Sequence, residues 1–205
     1  MLLVAALPRG GSTPFLADTS PQAHNPVVTE PDPEVAFAAL EIDAQFALDR
    51  PWDSAPPIVA RPLISLGIFP AFGAHRAWSV FDTPGPSVLI REIAWDRVSD
   101  LAAFAEPFPD RVLPRPTKPT LAVRDVNYPR ASLSEFLAST ESLPLPAETP
   151  PWSPTASEIS FLRLDARPGA PRFVWTWDLP PGWETLLTWF AEAIRTLEHV
   201  MVESR

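Results

Sequence analysis

Trp78, Arg76, Arg91, His75 and Trp95 are the residues whose types and spacing come nearest to a binding site. Two guanidinium groups can hold an anion through forked hydrogen bonds. An indole face can carry a planar ligand or a guanidinium stacked on it. His75 opens a candidate strand beside Arg76 and is the histidine best placed for acid–base work. The other two, His24 and His199, have no partner at metal-ligand spacing, and His199 falls on a polar helix face. Trp52 and Trp152 join Trp78 and Trp95 at element ends or in connections, where burial is less forced. Together these residues describe one reading: a small-molecule-binding protein or enzyme with a Trp/Arg-lined pocket for an anionic ligand.

Other chemistry is missing from the sequence. There is no cysteine, so disulfides, thiol nucleophiles and Cys-based metal sites are excluded. With seven glycines, no Gly-rich phosphate loop and no nucleophile elbow can be assembled. The carboxylates Glu41, Asp43, Asp49, Glu92 and Asp96 are accounted for by helix caps and solvated faces. No catalytic residue, metal ligand or cofactor is assigned.

The elements that must position these residues are readable. Ile159–Ala166 and Arg172–Leu179 read as a hairpin across Arg167-Pro168-Gly169-Ala170, because Pro presets φ and Gly accepts positive φ. The expected register sets Leu164 opposite Phe173, Leu162 opposite Trp175 and Asp165 opposite Arg172. Leu162, Leu164, Phe173, Trp175 and Trp177 then share one face. After Pro180-Pro181-Gly182, Trp183, Leu186, Leu187, Phe190, Ile194, Leu197 and Met201 recur at helical spacing, with Trp189, Ala193 and Val200 on a flank. This helix is expected to return over the hairpin.

A second hairpin, Arg76–Asp82 with Ser87–Trp95, turns at Thr83-Pro84-Gly85-Pro86. There Phe81 is expected opposite Val88, Val80 opposite Leu89, and Trp78 opposite Arg91 with the guanidinium stacked on it. Asp32 caps a helix with Pro33 in its first turn. Phe37, Leu40, Ala44 and Leu48 line one face of this helix, flanked by Val35, Ile42 and Phe46, and it ends before Pro51. Pro62–Phe69 and Thr120–Asn127 read as strands. Asp96 caps a short helix containing Val98, Leu101 and Phe104. Ser132 and Glu135 form a capping box for another.

The fold class is therefore α+β: antiparallel β-hairpins packed by helices. Residues 1–33 form a loop-rich N-terminal arm and 34–205 a single domain. A weak internal repeat, Pro84-Gly85 with Trp95-Asp96 against Pro168-Gly169 with Trp177-Asp178, would divide it into ββα halves at 34–106 and 120–205. The Pro-rich linker between them contains Arg111, Arg115 and Lys118 and reads as a solvated connection.

Of 205 residues, 46% are hydrophobic, enough for a packed core, and the net charge is −9. That charge disfavours nucleic acid and suits a basic protein partner. Lys118 is the only lysine, an arginine bias typical of GC-rich bacterial coding. Met1–Leu7 is apolar but short and lacks a preceding basic region, and no run is long enough to span a membrane, so the expected location is cytoplasmic. The leading expectation is a non-catalytic protein-interaction domain, in one version an acidic inhibitor of the immunity type.

Overall fold

A six-stranded, wholly antiparallel sheet separates two helical layers. The computed structural model describes residues 32–54, 56–104, 115–146, 158–169, 171–176, 179 and 181–204. The strands are β1 (Arg61–Pro70), β2 (His75–Asp82), β3 (Ser87–Trp95), β4 (Leu121–Pro129), β5 (Glu158–Arg163) and β6 (Arg172–Trp175). Their order across the sheet is β4-β3-β2-β1-β5-β6. Helices α1 (Pro33–Asp49) and α2 (Arg97–Phe104) cover one face; α3 (Ser134–Ser142) and α4 (Glu184–Glu203) cover the other. The α+β class expected from the sequence is the class observed.

Burial on both faces explains the central strand. Ile64, Ser65, Leu66 and Gly67 of β1 are all buried, with none of the alternation of a half-solvated strand. Pro62, which cannot donate to a ladder, precedes the segment that pairs with β5 and sits at a register shift against β2. Gly67 is required by a neighbour: a Cβ there would lie 2.2 Å from Cε1 of Phe161 and 3.0 Å from the Arg76 carbonyl. The Phe161 ring occupies that space, and Leu40 and Ala44 of α1 close over the same cluster.

The C-terminal hairpin and helix pack as expected. Leu162, Leu164, Phe173 and Trp175 share a core with Leu186, Phe190, Leu197 and Met201 of α4. The rings of Trp175 and Phe190 meet edge to face at 4.6 Å. The most buried stripe of α4 runs through Ala193 and Val200, expected on its flank, while Leu187 and Ile194 are only partly buried.

Both hairpin registers differ from expectation. In β5–β6, Leu162 pairs with Phe173 and Ser160 with Trp175, a slip of two residues. Because side chains alternate with period two, that slip leaves Leu162, Leu164, Phe173 and Trp175 on one face as expected. In β2–β3, Phe81 pairs with Leu89, Val80 with Ile90 and Trp78 with Glu92, a slip of one. Arg91 therefore pairs with Ser79 and projects from the opposite face to Trp78. The expected capping box at Ser132 is also replaced: a 3-10 turn at Arg130–Leu133 leads into α3, which has no side-chain cap.

The two hairpins of the suggested repeat belong to one sheet. Their helices differ, α2 having 8 residues beside α1 and α4 having 20 on the other face. Trp177, Asp178, Trp152, Arg111 and residues 1–31 lie outside the described residues.

None of the four helices has a basic residue in its last turn. Arginines reaching from elsewhere satisfy carbonyls at the ends of α3 and α4, and one does so in the connection after α1. Arg91 donates to Pro51 O and Ser54 O just beyond α1. Arg167 donates to Thr140 O, Glu141 O and Leu143 O at the end of α3. Arg124 donates to Met201 O in α4. The arginine bias thus has a structural use: the planar fork spans several acceptors that a lysine ammonium would meet one at a time.

Candidate functional site

The five residues singled out in the sequence are divided between the two faces of the sheet. Arg76 and Trp78 project toward α4; His75, Arg91 and Trp95 project toward α1. The one-residue register slip causes this division for Arg91. The guanidinium stacked on Trp78 belongs to Arg76, 5.2 Å from the ring centroid. Arg76 also holds Glu92 and Glu198, each at 2.6 Å.

On the α1 face, one polar row crosses all six strands. Asp125, Arg91, Ser79, Ser65, Arg163 and Arg172 are successive partners in register. Asp125 accepts two hydrogen bonds of 2.7 Å from the fully buried Arg91. Ser79 donates to Ser65 at 2.9 Å, and Arg163 binds Asp165 at 2.6 Å while covering the Trp52 ring at 4.1 Å. Arg172 holds Asp49 at the end of α1. Every charged member of the row is paired, so the row seats the C-terminal end of α1 and the connection after it. The neighbouring row, Val123, Ile93, Ala77, Gly67, Phe161 and Val174, is wholly apolar.

A third, aromatic row contains His75 and Trp95. The His75 ring lies 5.3 Å from Phe69 and 5.1 Å from Trp95; its Nε2 contacts Pro70 O at 3.1 Å and its Nδ1 has no partner. Trp95 donates its indole N–H to Asp100 at 2.6 Å. Buried Asp100 also accepts the Thr120 N–H at 2.8 Å and the Thr120 hydroxyl at 2.6 Å. Asp100 was not visible in the sequence, because a lone carboxylate in a short helix reads as solvated. By contrast, the indole N–H of Trp78 is buried without a partner.

Burial, and next the nearby Arg97 cation, hold the His75 pKa below its ordinary 6.5; the Pro70 carbonyl and Glu41 act in the other direction. The folded state therefore favours the neutral ring. Its stabilisation is complete above pH 6.5 and is lost as pH falls through the lowered value. The melting temperature should fall on acidification across that window. His75→Phe, which cannot titrate, should flatten that part of the profile relative to the unsubstituted chain. Parallel thermal-melt profiles would be evidence against a neutral buried ring.

The sheet stands between Arg76 and Trp78 on one side and His75, Arg91 and Trp95 on the other, so the five candidates do not line one cavity. A groove of about 340 Å³ between α3 and α4, lined by Ser132, Phe136, Ser139, Trp189 and Glu192, contains none of them. Among the described residues, no group of three His, Asp or Glu is arranged to hold a metal. No helix among them is long and apolar enough to cross a membrane.

The surface is more informative. Val35, Ile42 and Phe46 were expected to flank the buried stripe of α1. They lie opposite it, at 63%, 66% and 53% exposure. With exposed Ala39 they recur at i, i+4, i+7 and i+11, a straight stripe about 16 Å long at 1.5 Å per residue. Leu40, Ala44 and Leu48 occupy the sheet side, so α1 is apolar on both sides. Residues 32–53 hold six carboxylates and one arginine, a net charge of −5. Arg97 ties α1 to neighbouring elements through Glu41 and Ala71 O. These neighbours add exposed Val98 and Leu101 on α2 and Phe72 in the β1–β2 connection.

No family model, curated protein or solved structure matches this chain.

Proposed function

We propose that the chain is a non-catalytic protein-interaction domain that binds a basic partner, an inhibitor covering a basic surface being its most concrete form. The observation that carries this reading is the outward side of α1, where large apolar side chains stand in solvent within an acidic frame. Exposed apolar residues grouped on one element favour a docking role, whereas scattered ones need no explanation. The paired arginines support the same reading. Arg91, Arg76 and Arg163 are each committed to partners within the fold, as expected of scaffold rather than of a ligand site.

The test is a pull-down from the native host with the tagged full chain, at low and high salt, read by mass spectrometry. The expected result is one basic protein captured at low salt and released at high salt. An empty pull-down, or a partner that is acidic or held equally at high salt, would count against the proposal.

A further inference from the structure

We infer that the outward side of α1 is the seat of a basic amphipathic helix, laid along the Val35–Phe46 stripe; the inference rests on the interaction reading above. A straight i, i+4, i+7, i+11 row is the surface that one helix presents to another, whose anchors repeat at the same spacing. An extended segment would meet the row at alternate residues, a rise that does not match a helical row over this length. The charges select the sign of the occupant. Glu34 and Asp43 are exposed beside the stripe and Asp32 caps its start; among the described residues these three have no ion pair, whereas Glu41, Asp49 and Asp53 are held by Arg97, Arg172 and Arg50. Arg50 marks the far end, its guanidinium 4.8 Å from the Phe46 ring and 4.0 Å from Asp53.

The same charges give a second copy of this chain no advantage. In a twofold pairing of α1 with α1, antiparallel helices would bring Asp32 and Glu34 against an end where Asp49 and Asp53 are already held by Arg172 and Arg50, so that end offers them no net opposite charge. A helix with Lys or Arg beside its apolar anchors meets the same groups with opposite sign.

The experiment titrates the 15N-labelled full chain with a helical Leu/Lys peptide carrying Leu at i, i+3, i+4 and i+7. A Leu/Glu peptide of the same pattern is the control. The Leu/Lys peptide should shift the amide signals of Val35–Phe46 and leave those of α4 unmoved. Affinity should fall about tenfold or more in the Ile42→Ser/Phe46→Ser double variant, and also at high salt. Both substituted positions are exposed, so the variant should retain the wild-type melting temperature, which is checked alongside. Absence of shifts, shifts centred on another element, or equal binding of the Leu/Glu peptide would overturn the inference. So would self-association in sedimentation that the double variant abolishes, since it would assign the stripe to a second copy. If the double variant still captures a basic host protein, this surface is wrong while the interaction reading stands. If the peptide maps to α1 but no host partner is captured, the surface stands and that reading fails.

Discussion

Asp125→Ala should lower the unfolding free energy by about 1.5–3 kcal/mol, the range for hydrogen bonds to a charged group, because Arg91 is fully buried while Asp125, on the edge strand, is about a third exposed. Arg91 has no exposed surface, and two of its four hydrogen bonds go to Asp125. Its remaining bonds, to Pro51 O and Ser54 O, satisfy donors but leave the charge uncompensated. The loss should not add to that of Arg91→Met. In the double variant the buried charge is gone, so the cost should be less than the two single costs combined. Urea unfolding of the four proteins provides the cycle. Simple additivity would mean that the pair contributes little coupling. The partner connection should respond as well, because Arg91 holds Pro51 and Ser54 against the sheet.

Asp100→Ala is the second large effect, at about 3 kcal/mol or more. One carboxylate accepts from the Trp95 indole, the Thr120 backbone and the Thr120 hydroxyl. Removing it strands the indole N–H of the fully buried Trp95 and takes away the partner of the Thr120 N–H and hydroxyl. The two tryptophans provide an internal comparison. Trp78 and Trp95 are both fully buried, so substitution by Phe removes a similar volume at each. Trp95 loses a charge-assisted hydrogen bond and Trp78 loses none. Trp95→Phe should therefore cost about 1–3 kcal/mol more than Trp78→Phe in thermal or urea unfolding. Equal costs would show that Asp100 contributes little through the indole.

These nodes also mark where the sequence was legible. The long helix, both hairpins and the Pro62–Phe69 strand follow from periodicity and turn residues, which are local signals. The face shared by Leu162, Leu164, Phe173 and Trp175 was legible for a further reason: an error of two in register preserves the faces. An error of one does not, and Thr83-Pro84-Gly85-Pro86 admits either loop length. That single residue moved Arg91 to the far side of the sheet and separated it from Trp78. The polar row could not be read either, because its six members come from six strands whose order depends on long-range pairing. For α1, Val35, Ile42 and Phe46 were visible as apolar residues. Their solvent position was not, because a helix apolar on both sides gives no sequence signal for which side meets the sheet. The acidic frame, by contrast, was present in the sequence from the start.

If the outward side of α1 recognises a basic partner as proposed, the dissociation constant of the recovered partner, measured with the full chain over a range of salt concentrations, rises steeply with salt, because screening removes the complementarity between the two surfaces. An affinity that does not change with salt would rule that recognition out.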